Sequence, residues 1–451
     1  MAFLSRLLAC LLALALTVQP AMAQSVLRDA ETEALLNDMA APLAEAAGLR
    51  PGNVEVVLVN DPSINAFVAG GQVVYIHTGL INAADSANEV QGVIAHELGH
   101  ITGGHVISSG DGMRSAQTIS ILSLLIGIAA AAAGAGDAAI GAMMAGQRAA
   151  MGKYLAFSRV QESAADAAGA EYLSKAGVTG KGSLEFFGKL LNQEYRYSRS
   201  QSDEAGFNRT HPLSGDRIAR LREVYQRDAA WDTPPDPELQ VRFERARAKL
   251  FGYLSETDRT LRTYPRSDTS VPARYARAYA YHKDAQIDAA LDEADALLAA
   301  NPDNPYFLEL RGQILLESGR PDEALPDLRR ATELTFNQPL IASMFGHALI
   351  ATENSDNFEE AEQVLRAAVA KDRLNPFAWY QLGVVYAERG DMPRAHLASA
   401  ERQVMTRDYL AALRSAQLAE SALPVGSADW LRAQDVRMQA QAALERARED
   451  S

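Results

Sequence analysis

The chain has 451 residues, 48% hydrophobic and 22% charged, with a formal net charge of −14. This composition supplies more than one apolar core and excludes a disordered chain; at ~100–200 residues per domain it predicts two or three domains. The acidic balance works against nucleic-acid phosphate and against charge-driven binding to anionic lipid, so no nucleic-acid partner is expected.

Met1 to Arg6 is a short basic start, Leu7 to Val18 is a compact apolar run, and Ala21-Met22-Ala23 offers small residues where a signal peptidase reads. This predicts a signal peptide over residues 1–23, cut before Gln24. The apolar run is shorter than the ~20 residues of a spanning helix. Cys10, the one cysteine, lies inside the run, which continues past it and so sets aside a lipoprotein. The exported chain is therefore expected to fold without disulfides.

Residues 24–265 alternate strand-like and helix-like segments and read as one domain. Val54–Asn60 (VEVVLVN) has the pattern of a buried strand, and Gln72–His77 that of a second, entered through Gly70-Gly71. Glu89 to about Ser108 reads as a helix weakened at its end by Gly103-Gly104, and Arg159–Ala176 as another that stops at Gly177. Between them Ser115–Gly136 carries no charge, and a second uncharged stretch runs from Asp137 to Arg148. Three readings stand for Ser115–Gly136: a helical hairpin that covers the active site or makes peripheral contact with a membrane surface, a buried core helix, and a true span.

From about residue 271 the chain repeats itself. Gly312, Gly346 and Gly383 recur at intervals of 34 and 37, with Ala278 one repeat earlier. Ala290, Ala324 and Ala395 follow their partners by twelve residues; Ala361 is delayed by three, the extra residues lying in Glu353-Asn354-Ser355-Asp356-Asn357. This period, with small residues where two helices cross, is the tetratricopeptide pattern. About four repeats are expected over residues 266–410, followed by capping helices over 411–451. The fold class is mainly α: an α+β domain with a small sheet, then an α-solenoid.

The chemistry centres on His96-Glu97-Leu98-Gly99-His100. On a helix the two histidines lie one turn apart on one side, so both imidazoles can hold one metal ion. Glu97 is displaced around the helix, placing a carboxylate where it can take a proton from water activated by that metal. Zinc, one ion per chain, is the expected cofactor. A third histidine in the metzincin position would stand where Val106 is; His105 falls one residue short and is read as supporting or structural. Glu162 and Asp166 share one face of an alanine-rich helix. Glu162 is the expected third ligand, and Asp166 accepts an N–H from a ligand histidine and fixes its tautomer.

With Glu162-x-x-Ala-Asp166, the HELGH motif resembles the gluzincin peptidases that include HtpX and the CAAX prenyl proteases. Asn65-Ala66-Phe67-Val68-Ala69-Gly70-Gly71 is similar to the segment preceding that family's active-site edge strand. The resemblance implies that Asn65, Ala66, Phe67, Val68, Ala69 and Gly70 bind substrate as an added strand. Thr210-His211-Pro212 resembles the family's later histidine motif, which implies that His211 approaches the metal, either to steady an oxyanion or to fill the open position at rest. For an exported domain of this kind followed by repeats, the resemblance further implies a Gram-negative periplasmic endopeptidase. Its expected substrates are unfolded or misassembled outer-membrane proteins, with contact to the barrel-assembly machinery. The rival expectation is a repeat-based chaperone or assembly factor with minor proteolysis.

Overall fold

The computed structural model describes residues 25–50, 52–105, 136–197, 211 and 214–449, together with Ile119, Leu122 and Ser123. The signal-peptide expectation and almost all of Ser115–Gly136 lie outside these residues. Among the described residues no helix is long and apolar enough to cross a membrane. The chain divides into two units, one of residues 1–27 and 39–235 and one of 28–38 and 236–451.

The first unit is built on a four-stranded sheet: β1 (Ser25–Val26), β2 (Glu55–Asn60), β3 (Ala66–Ala69) and β4 (Val73–His77), in the order β1-β2-β4-β3. β2 and β4 run parallel, and β3 folds back on β4 as an antiparallel edge with Phe67 opposite Tyr75. That hairpin needs a backbone few residues tolerate, and Gly70 and Gly71 supply it at φ of 64° and 105°. Alternate residues Val56, Leu58, Val74 and Ile76 are buried, as one covered face requires. β1, only two residues long, has no sequence signal of its own.

Three helices position the chemistry: α3 (Ala87–Thr102), α4 (Gly136–Lys175) and α5 (Lys181–Tyr197). α1 (Ala30–Ala46) and α2 (Thr78–Ala83) precede them. Ser86 caps α3 by accepting from the Glu89 N–H, while the Glu89 carboxylate accepts from the Asp85 N–H, a reciprocal arrangement of capping-box type. Every residue from Ala87 to His100 is buried, so α3 is the central helix of the unit. It ends at Thr102, earlier than the expected Ser108, because Gly103 closes it and Gly104 turns left-handed at φ 61°. α4 is longer than expected. It starts at Gly136 rather than Arg159 and runs 40 residues, since nothing between those positions breaks a helix. The uncharged stretch after Asp137 is thus its first part.

The second unit is a stack of antiparallel helix pairs: α9 (Val271–Lys283) with α10 (Ile287–Ala300), α11 (Pro305–Glu317) with α12 (Pro321–Leu334), α13 (Pro339–Ala351) with α14 (Phe358–Lys371), and α15 (Pro376–Glu388) with α16 (Met392–Met405). α17 (Tyr409–Ala422) and α18 (Ala428–Glu449) close it. A Cβ on Gly312 would lie 2.6 Å from Leu328, and one on Gly346 2.5 Å from Leu365, so the repeating glycines mark where the helices of a pair cross. Ala290, Ala324 and Ala361 are completely buried at the matching positions. The expected boundary near 265 lies inside this unit. α7 (Pro237–Leu254) packs along α9, and a Cβ on Gly252 would come within 2.2 Å of the Ala276 carbonyl; α6 (Gly215–Gln226) belongs to the first unit, and the short α8 (Thr257–Thr263) follows α7.

The first turns of α1 also belong to this unit. Glu31 pairs with Arg245, Lys249 pairs with Asp29, and the Tyr275 hydroxyl donates to Glu31 at 2.7 Å. Ala30 packs with Tyr275, Tyr279 and Phe307. Glu309 is buried beside this charge cluster, where burial pushes its carboxyl up to about 7 against the pull of Lys249.

Candidate active site

α3 and α4 meet through small residues. A Cβ on Gly99 would lie 2.6 Å from the Ala165 carbonyl oxygen, and one on Gly169 would lie 3.0 Å from the Ala95 carbonyl. Ala95 and Gly99 on one helix thus face Ala165 and Gly169 on the other, each pair one turn apart. The close approach brings Glu162 and Asp166, which flank Ala165, against the histidines that flank Gly99. On another side a Cβ on Gly92 would meet Ser183 at 2.7 Å, and the Asn88 amide bonds to the Thr179 carbonyl and the Gly182 N–H, so α5 is anchored to the same helix.

At this crossing His96, His100, Glu162 and His211 each turn a donor atom to one place, all within 4.8 Å of one another and all buried. His96 Nε2 is 3.2 Å from His100 Nε2 and 3.3 Å from His211 Nδ1. Glu162 Oε2 is 3.3 Å from His96 Nε2, and its Oε1 is 3.1 Å from His211 Nδ1. Three imidazole nitrogens and a carboxylate converging in a buried place are the donor set that zinc takes, and nitrogen lone pairs this close lack enough protons to satisfy one another. The residues therefore fit a metal ion.

Each ligand is braced from behind. His96 Nδ1 lies 3.0 Å from Asp166 Oδ1, and His100 Nδ1 lies 2.9 Å from His105 Nδ1. Gly103 makes the second contact possible, since a Cβ there would stand 2.5 Å from the His105 ring. Arg217, in the first turn of α6, donates to both Asp166 oxygens at 2.7 and 2.8 Å and reaches Glu162 at 3.1 Å. Sequence reading did not single out Arg217. The available signal was its place six residues after His211, but nothing local ties it to Asp166, 51 residues away.

The electrostatics divide the residues by task. Burial alone would lift the Glu162 carboxyl, but bonds from His211 and His96 outweigh it and hold the group well below its ordinary value. Burial would lower His96, yet Asp166 and Glu162 raise it to about 10, while burial and the neighbouring imidazoles push His100 down to about 2. Glu97 behaves oppositely to Glu162. It is completely buried, neither oxygen has a hydrogen-bond partner among the described residues, and burial raises its pKa although His211 Nε2 stands 3.5 Å away.

The segment read as substrate-binding falls at the sheet edge. Ala66–Ala69 form β3, Asn65 accepts from the His77 N–H, and Gly70 begins the turn. β3 is the edge strand beside β4 and packs against α3, the helix that carries His96 and His100. Thr210 and Pro212, which flank His211, lie outside the described residues.

Residues 27–225 match Peptidase family M48, and residues 275–338 and 346–404 match the tetratricopeptide repeat. The beta-barrel assembly-enhancing protease of Escherichia coli K12 is 26% identical over 379 residues, 82% of this chain and 75% of that protein. A Vibrio cholerae protein provisionally given the same name is 34% identical over 265 residues, covering 56% of this chain; the chain spans about half of that relative's length, 52%. The Escherichia coli K12 metalloprotease LoiP is 28% identical over 182 residues, 40% of this chain and 65% of that protein.

Proposed function

We propose, for a chain whose residues 27–225 form a peptidase family M48 domain and whose later residues form tetratricopeptide repeats, that it is a zinc-dependent endopeptidase of the Gram-negative periplasm. The observation that carries the reading is the buried convergence of His96, His100, Glu162 and His211 beside the buried Glu97. His96, His100 and Glu162 hold the ion. Bound there, zinc supplies Lewis-acid activation of a water molecule and polarisation of the scissile carbonyl.

The remaining steps belong to the chain itself. Glu97, raised by burial, takes the proton from the attacking water and passes it to the leaving amine. Asp166 accepts the His96 Nδ1 proton and keeps Nε2 free as a ligand atom, and Arg217 balances the two carboxylates. The His211 Nδ1 position among the other donors favours the resting-state role, in which His211 would help to hold the ion in the absence of substrate. Asn65–Gly70 bind an extended substrate by adding it to the β3 edge.

The names of the Escherichia coli and Vibrio cholerae relatives support action on unfolded or misassembled outer-membrane proteins, with the repeats as the surface that meets them or the barrel-assembly machinery. Glu97→Gln should retain zinc by elemental analysis and lose casein cleavage, whereas Glu162→Ala should lose zinc. Wild-type zinc content in Glu162→Ala, or cleavage by Glu97→Gln, would refute the assignment. Full support of outer-membrane protein assembly by Glu97→Gln would favour the chaperone reading.

A further inference from the structure

β3 is four residues long and stands at the sheet edge, so little of its own chain holds it in place. Gly70-Gly71 closes one end of the hairpin, yet two glycines in succession are the most permissive of turns and fix a register weakly. The other end is tied more heavily than a short connection requires. Residues 61–65, which lead from β2 to β3, are fastened to residues 77–79, where β4 passes into α2. The Thr78 hydroxyl donates to the Asp61 carbonyl at 2.9 Å and accepts from the Asp61 N–H at 3.2 Å. The Gly79 N–H donates to the same carbonyl at 2.9 Å, and the His77 N–H donates to the Asn65 carbonyl at 3.0 Å. A Cβ on Gly79 would collide with the Pro62 carbonyl, so α2 sits this close only because that residue has no side chain.

Side chains complete the clasp. His77 is buried, and its Nδ1 lies 2.9 Å from Ser63 Oγ and 3.5 Å from Asp61 Oδ1. Asp61 Oδ1 also accepts from the Ser63 N–H at 2.8 Å. His77 Nε2 meets no hydrogen-bond partner among the described residues, so the polar contacts of the ring lie with the connection that enters β3. The ring also stands edge-on to Phe67, with 5.8 Å between centroids, and Phe67 stacks on Tyr75 at 5.0 Å. His77 thus holds β3 twice, at its entry through Ser63 and at its middle through Phe67.

The His77 bond to Asn65 sets which groups of β3 remain for substrate. Pairs alternate along an antiparallel ladder, so Asn65, Phe67 and Ala69 turn their N–H and C=O groups to β4. Ala66 and Val68 present theirs at the free edge. We propose that Asp61, Ser63 and His77 are positioning residues for substrate, a clasp that keeps β3 in one register so that Ala66 and Val68 meet the substrate backbone already ordered. The proposal rests on the reading of β3 as the substrate edge. A loosened edge must be ordered as substrate binds, and that cost falls on binding. The chemistry at Glu97 and the hold on the metal are left as they are, so the loss appears in KM and not in kcat.

The test is casein cleavage by the full chain, with initial rates taken over a range of casein concentrations and zinc content measured by elemental analysis. Ser63→Ala removes one partner of the clasp. His77→Phe keeps a ring against Phe67 but removes Nδ1. Each should raise KM about tenfold, with kcat within about twofold of wild type and zinc unchanged. His77→Asn, whose amide nitrogen takes the place of Nδ1, should return KM to within about threefold of wild type. A general loss of folded enzyme would instead lower kcat at constant KM. Val68→Pro removes an outward N–H from β3 and leaves the bonds to β4 in place. If Val68→Pro raises KM while Ser63→Ala and His77→Phe do not, the clasp is refuted and the edge reading stands. If Val68→Pro leaves KM at the wild-type value, the edge reading falls and the clasp falls with it. Lower kcat at constant KM in Ser63→Ala and His77→Phe, or a His77→Asn as impaired as His77→Phe, would also overturn the proposal.

Discussion

Gly99→Ala is the sharpest perturbation of the metal site that touches no metal ligand. The added methyl would stand 2.6 Å from the Ala165 carbonyl oxygen and 2.8 Å from its Cα, where ordinary contact begins at 3.4 Å. Both neighbours are helix backbone, so α4 must retreat from α3 by roughly 0.8 Å at the position between Glu162 and Asp166. Overpacking of this kind costs about 1–3 kcal/mol, and the better helix propensity of alanine returns about 1 kcal/mol. The net loss of stability is therefore modest, up to ~2 kcal/mol. The effect on metal is not modest, because ligand distances tolerate only about 0.2 Å. Zinc affinity, measured by competition with a chromophoric chelator, should fall at least ~10–100-fold, while thermal unfolding of the metal-free protein moves little. Gly188→Ala is the matched control, since no atom lies within 4 Å of its Cβ and only the propensity gain applies. Wild-type zinc affinity in Gly99→Ala would mean that Glu162 does not ligate the ion, or that α3 and α4 do not need this approach.

Other substitutions probe the supports. Arg217→Met removes the guanidinium that faces Asp166 and Glu162; it should weaken zinc binding ~10–100-fold in the same chelator competition. Lys249→Met strips the half-buried Asp29 of its cation and should cost up to about 3 kcal/mol in urea unfolding. Glu309 gives a pH signature. Its folded pKa is raised from 4.5 to about 7, so its contribution to stability is present below 4.5 and is lost as pH rises through 7. The loss is on the order of 3 kcal/mol, and Glu309→Gln should flatten the unfolding midpoint over that window; parallel profiles for variant and wild type would count against it.

Features written in short stretches of chain were legible from sequence. The HELGH helix and the repeat register depend on contacts within one turn or one helix pair, and small residues signal them directly. Glu162 and Asp166 were readable because they share one helical face. Arg217 was not, since its role comes from carboxylates on another helix. The start of α4 at Gly136 was hidden because an uncharged, alanine-rich stretch suits several environments equally. The division of the chain at 235 and 236 was not legible for a similar reason: nothing in Pro237–Leu254 announces a repeat, and its place follows from Gly252 meeting Ala276.

The first turns of α1 set an order on folding. Glu31 finds Arg245 across 214 residues and Tyr275 across 244, and Arg28 reaches Asp372 across 344. Residues 28–38 are therefore synthesised before residues 236–372 and acquire these partners late. The peptidase domain can collapse on its own sheet meanwhile, but the helical unit cannot complete its first layer until that early segment is returned to it. Such long closures slow folding, and they predict that a fragment beginning at residue 236 would expose Lys249 and Tyr275 and aggregate unless residues 28–38 were supplied in trans.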